Sequence, residues 1–158
     1  MLKKYDNQII YIVAVLIILL VLSIFFGLSR NMGESMLPNI SEGSFNIILK
    51  KEFCELKRGD FVIIDYEGEL IGKRIIGTPG ETMEFCDGNV IVDNKILKEE
   101  YIDCDTVGNG KYIVPNNEFF VMGDNRYNSF DSRFMDYPYI KRGNVIGKVI
   151  FVLDFSTK

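Results

Sequence analysis

The chain of 158 residues contains no histidine. That absence excludes Ser-His-Asp and Cys-His catalysis, and it removes the ligand on which most zinc sites lean. A group that accepts a proton near neutral pH must then be a carboxylate, a tyrosine, an amine or a thiolate. Cysteine is scarce as well, at Cys54, Cys86 and Cys104. The odd count without a C-x-x-C spacing gives no metal or redox motif. Outside the cytoplasm one disulfide and one free thiol are open to it, with Cys86 and Cys104 the preferred pair. Positive charge is not in excess: 18 Lys and Arg stand against 22 Asp and Glu, a net charge of −4. Nothing there attracts nucleic acid. There is no internal repeat, no low-complexity tract, no long linker, and no helical periodicity beyond Arg30.

One long apolar run is present. Ile9 to Leu28 is 20 residues without a charge, interrupted only by Tyr11 and Ser23. At about 1.5 Å per residue it matches a bilayer core of about 30 Å. It exceeds the ~7–15 residues of a cleaved signal peptide's apolar region, so it reads as a retained transmembrane helix over residues 9–28. Lys3 and Lys4 favour a cytoplasmic tail over residues 1–8 and place the remainder, 29–158, outside. The gap from Leu28 to Ser35 is short, so chemistry at Ser35 takes place close to the membrane surface.

The remainder reads as strands. Apolar runs at Phe45–Leu49, Phe61–Tyr66, Leu70–Ile76, Thr82–Cys86, Val90–Val92, Lys95–Leu97, Tyr112–Val114, Glu118–Met122 and Val145–Leu153 are separated by turn-forming residues. Asp87-Gly88 between two such runs is a hairpin signal. The expected fold is mainly β, with coiled antiparallel sheets or a barrel-like body behind one N-terminal helix, and a small cap around residues 82–118.

Three segments carry chemistry. Gly33-Glu34-Ser35-Met36-Leu37-Pro38 places a serine on an irregular loop; read by itself, Ser35 is a linker serine as readily as a nucleophile. Lys73 shares a strand face with Ile71 and Ile75, where an ammonium is costly. Burial lowers a lysine pKa, and desolvation is how an amine becomes a general base. The plain alternative is an edge lysine whose stem carries its charge to water. Gly123 to Arg133 is dense in hydrogen-bonding groups; if extended, it sets Ser129, Asp131 and Arg133 on one side, suited to orienting an amine. A polar loop with an Asx turn is the alternative.

Together these segments resemble the type I signal peptidases. Gly33-x-Ser35-Met36-x-Pro38 is similar to that family's nucleophile box, and Arg58-Gly59-Asp60-Phe61-Val62-Ile63 to its Gly-Asp strand box. Lys73 to Glu81 resembles its general-base box, and Gly123-Asp124-Asn125-Arg126 with Ser129-Phe130-Asp131-Ser132-Arg133 its last box. Order and spacing agree over roughly residues 9–153. The resemblance implies a membrane-bound Ser–Lys protease with no cofactor. Its substrates would be exported precursors, cut after small residues at −1 and −3. Carried over, Ser35 is the nucleophile and Lys73 the base. Ser129 orients Lys73, and Asp131 with Arg133 and Arg74 with Asp124 hold the framework. Two departures bear on the site: Gly33 lacks the hydroxyl that some members use as an oxyanion donor, and Asn39 replaces the usual threonine after the proline. The short stretch from Thr82 to Glu118 implies a small cap. Alternative readings are a peptidase with a narrow client set, such as pilin-type subunits, or a tethered domain that binds exported chains without cutting them.

Overall fold

The computed structural model describes residues 2–102 and 104–155, and the side chains from residue 7 onward. Lys3 and Lys4, on which the expected orientation rests, have side chains outside the described residues.

A single helix, α1 (Leu2–Phe25), opens the chain. Its segment Asn7–Phe25 is long and apolar enough to cross a membrane, and no part of it is buried in the protein. A helix satisfies its backbone polar groups internally, as a bilayer core demands. It stops earlier than the apolar run. Phe26, Gly27 and Leu28, expected as helix, belong instead to strand β1 (Phe26–Arg30). They leave the helix because the neighbouring strand β2 (Phe45–Lys50) offers a ladder, with Phe26 opposite Leu49 and Arg30 opposite Phe45.

The other strands fall where the alternation placed them: β3 (Phe61–Tyr66), β4 (Glu69–Gly77), β5 (Thr82–Cys86), β6 (Asn89–Val92), β7 (Lys95–Ile96), β8 (Lys111–Ile113), β9 (Glu118–Met122) and β11 (Val145–Leu153). The two-residue β10 (Ile140–Lys141) is an addition. The Asp87-Gly88 hairpin has positive φ at both central residues, 50° and 78°. That matches the right-handed twist of its strands.

Two antiparallel sheets result. The larger has the order β1-β2-β11-β3-β4-β9-β10, and the smaller, here called the cap sheet or cap, has the order β7-β6-β5-β8. The central strands of the large sheet are buried on both faces, which explains their unbroken apolar runs. On β3, Val62 and Ile64 enter one core with Ile75, Val121 and Val145, while Phe61 and Ile63 enter another with Met36, Ile40 and Ile48. On β9, Phe120 and Met122 pack against Met83, Phe85 and Val90 of the cap, joining the sheets. Cys54, Cys86 and Cys104 are all free thiols, so the expected Cys86–Cys104 bridge is absent among the described residues.

Candidate active site

Ser35 sits in a run of turns between β1 and β2, held from several sides. Met36 is fully buried in the core beside Phe61 and Ile63. The Asn31 carboxamide donates to the Ser41 carbonyl at 3.1 Å, closing the loop's base. The Asn125 backbone N–H donates to the Ser35 carbonyl at 3.0 Å, and its side chain donates to the Glu34 carbonyl at 3.2 Å. The chain is thus pinned before, at and after the serine, and the hydroxyl is left in a cleft.

Lys73 lies on β4 opposite Val62 of β3. Its neighbours on the same face, Ile71 and Ile75, belong to or pack against an apolar core. The side chain is 4% exposed, and its Nζ lies 2.8 Å from Ser35 Oγ. Burial pulls the amine down from 10.5 to about 8; Asp131 pushes it back up and Arg133 lowers it. An amine so placed is neutral in a useful fraction of molecules near pH 8.

The segment Gly123–Arg133 is not extended, as expected for the face-sharing argument, but a succession of turns. Turns shorten the path enough for Asp131 and Arg133 to meet as an ion pair, both essentially without exposure. Arg133 Nε donates to Asp131 Oδ1 at 2.9 Å, and a second guanidinium nitrogen donates to Oδ2 at 2.8 Å. Asp131 also accepts from the Gly123 backbone N–H at 3.0 Å. Ser129 is buried near Gly123, and its hydroxyl has no hydrogen-bond partner among the described residues. No bond joins it to Lys73.

The second expected pair, Arg74 with Asp124, is bidentate at 2.7 and 2.5 Å. Arg74 also stacks 4.3 Å above the Tyr101 ring. Asn39 joins this pair: its carboxamide donates to Asp124 Oδ2 at 2.9 Å and to the Tyr101 carbonyl at 2.6 Å. The asparagine therefore ties the serine loop to the framework with one side chain.

Sequence reasoning passed over a third pair. Arg126, 1% exposed, donates to both oxygens of Glu99 at 2.9 and 2.5 Å, to Thr106 Oγ1 at 2.5 Å and to the Gly123 carbonyl at 3.0 Å. Glu99 and Thr106 follow the cap strand β7, so this knot fastens the cap to the Gly123 turn. The signal was an arginine inside the last box; its acidic partner lies 27 positions away, with no local pattern to mark it.

Clefts open on both sides of Ser35 and Lys73. One, of about 680 Å³, reaches Tyr66, Glu69 and Phe130. The other, of about 340 Å³, runs between Leu28–Met32 and Leu70–Lys73. β1 and β4 are separated by three strands in the sheet order yet face each other across this cleft, so the sheet curls. Both facing edges are open among the described residues. β1 is terminal and pairs only with β2, while β9 covers β4 only from Arg74 to Gly77.

A curled antiparallel body with a serine and a buried lysine at a cleft, set directly behind an apolar helix, defines a membrane-anchored serine peptidase. The comparisons with known proteins agree. Residues 5–154 match the family model for signal peptidase, peptidase S26. The chain is 38% identical over 150 residues to signal peptidase I P of Bacillus subtilis subsp. natto, covering 83% of this chain and 81% of that one. It is 37% identical over 137 residues to signal peptidase I T of Bacillus subtilis strain 168, covering 77% and 71%. The crystal structure of a signal peptidase I from Enterococcus faecalis V583 superposes with a TM-score of 0.55 at 27% identity, covering 61% of this chain and 97% of that one. The chain belongs to the S26 signal peptidase family. It is a serine protease of the signal peptidase I type, and it acts in signal-peptide removal.

Proposed function

We propose that the chain cleaves exported precursors by a Ser35–Lys73 mechanism at the membrane's outer face. The observation that carries this reading is the 2.8 Å contact between Ser35 Oγ and a lysine amine buried among apolar groups. Neutral Lys73 takes the Ser35 proton as Oγ bonds to the scissile carbonyl carbon. The resulting ammonium gives that proton to the leaving nitrogen as the C–N bond breaks. The acyl ester on Ser35 is then hydrolysed by a water that Lys73 deprotonates. The Ser35 backbone N–H supports the oxyanion; Gly33 has no hydroxyl to add.

Asp131 and Arg133 hold the charge balance around the amine, and Ser129, packed at Gly123 near the Ser35 carbonyl with its hydroxyl unengaged among the described residues, takes the supporting role. Arg74, Asp124 and Asn39 keep the serine loop in register. The substrate lies extended between the open edges of β1 and β4, as an added strand. Its alternate side chains, −1 and −3, point into the enzyme and are small. The tail containing Lys3 and Lys4 stays cytoplasmic, and the β body is outside.

The test is cleavage, in detergent, of a precursor carrying alanine at −1 and −3, with the new N-terminus read by mass spectrometry. One cut after the −1 alanine is expected; a precursor that binds and emerges intact would favour a non-cleaving tether. The rate should also follow the amine. Since Lys73 titrates at about 8 and acts as the neutral base, kcat/KM rises roughly tenfold per unit below that pH and levels off above it. A profile that is flat or falling between pH 6 and 8 would contradict the assignment of the base.

A further inference from the structure

Asn46 stands on the inward face of β2, the face it shares with Ile48 of an apolar core. A strand position there calls for an apolar residue. Asn46 is instead an amide with no exposure, and it forms part of the wall of the smaller cleft. Its nitrogen reaches Ser29 Oγ only at 3.4 Å, and its Oδ1 has no partner among the described residues. A buried amide end without a partner is unfavourable unless a ligand or water supplies one. Other polar groups lie near it, among the apolar Leu28, Ile63, Leu70 and Ile71 of the same cleft. Ser29 lies opposite Asn46 in the β1–β2 ladder. Asn31 Oδ1 lies 3.6 Å from where a side chain at Gly72 would begin, and the edge of the Phe61 ring, 2.8 Å from the same point, fills that space. Ser29, Asn31, Asn46 and Gly72 all line the same cleft, which holds about 340 Å³.

The direction of the substrate follows from the anchor. β1 begins where α1 ends, so the Leu28 end of the cleft is the end nearest the bilayer. A precursor's apolar segment precedes its cleavage site, so the residues before the scissile bond approach from that end. From Lys73 to Leu70 the cleft follows β4 for three residues, about 10 Å at the strand rise. A −3 side chain, two residues before −1 and on the same side, falls in this part.

We propose, on the foundation of the Ser35–Lys73 reading, that Asn46, Ser29 and Asn31 form a polar −3 subsite that selects a hydroxyl-bearing side chain, threonine or serine, over an apolar one of equal size. A hydroxyl both donates and accepts, so it satisfies Asn46 whichever way the amide is turned. Valine in the same place would leave the amide buried and unpaired.

The test uses the full chain in detergent and three precursors, identical except for alanine, threonine or valine at −3, with kcat/KM measured for each. Threonine is expected to exceed valine about five- to tenfold, the worth of one buried hydrogen bond. In Asn46→Leu the threonine-to-valine ratio should fall to about one or below. Cleavage of the alanine precursor with valine equal to or better than threonine in the wild type would overturn the polar subsite while leaving the peptidase reading in place. Cleavage of none of the three would overturn both. A folded Asn46→Leu, judged by its melting transition, that keeps the wild-type ratio would remove Asn46 from the subsite. The wild-type comparison decides the matter even if that variant does not fold.

Discussion

Ser35→Ala and Lys73→Ala should each lower kcat/KM for a cleavable precursor by about 10⁴-fold or more, and the double variant should lose little beyond either one. In the proposed mechanism the two groups act on one proton, so removing either ends the same step. Lys73→Met is the more informative replacement, because it separates catalysis from folding. The amine's folded value, about 8, lies below its ordinary 10.5. Between those values the unfolded chain binds the proton and the folded chain does not, so stability increases as pH rises from about 8 to 10.5. Below about 8 both states are protonated and the burial penalty is fully present. Methionine, of similar length and uncharged, removes that penalty, which is on the order of 3 kcal/mol. Lys73→Met should therefore melt at or above the wild-type temperature at pH 7 while cleaving nothing. Wild-type rates from Ser35→Ala would sink the nucleophile assignment, and a strongly destabilised Lys73→Met would show that the ammonium is better satisfied than its burial implies.

The largest stability effect should come from the knot that holds the cap. In Arg126→Ala, Glu99 keeps its charge at 5% side-chain exposure with its cation gone. Thr106 and the Gly123 carbonyl also lose their donor. Breaking one side of a buried pair costs about 3–5 kcal/mol, because the remaining charge is uncompensated. In a chain of this length that is a fall in Tm on the order of 10 °C. Replacing both members, Arg126→Met with Glu99→Leu, should recover most of the loss. Chemical denaturation of the detergent-solubilised protein checks both; a single variant within 1 kcal/mol of wild type, a threshold of about the size of one ordinary hydrogen bond, would mean that water reaches Glu99.

The strand pattern was open to reading because each run is short, apolar and bounded by Gly, Asp or Asn, and the paired residues of the hairpins lie close in sequence. What escaped were features set by distant partners. Phe26 to Leu28 satisfies a bilayer and a strand equally well; only β2, about 20 residues on, decides between them. Asp131 and Arg133 were singled out through an extended geometry that the segment does not adopt, and they meet because turns allow it. Glu99 has no local signature, and neither does Asn46, which looks like an ordinary polar residue in a half-buried strand until the ladder places it on the inner face. Of the candidate site, the serine, the lysine and the Arg74–Asp124 pair could be named only through the family resemblance that the order of the motifs carries, since each segment read alone left a plain alternative open. The buried Asn46 amide in the wall of the smaller cleft could not.

The junction between helix and sheet has a mechanical meaning. α1 passes into β1 with no intervening residue. The helix end is fastened sideways as well: Lys50 Nζ donates to the Ser23 carbonyl at 2.8 Å, and the rings of Phe25 and Phe53 lie 4.6 Å apart. A body joined in this way does not swing on a tether. With Ser35 as the proposed nucleophile and α1 in the bilayer, it would work as a ruler whose zero is the bilayer surface and whose mark is Ser35, so that the bond cut would be chosen by its height above the membrane as well as by the side chains on either side of it.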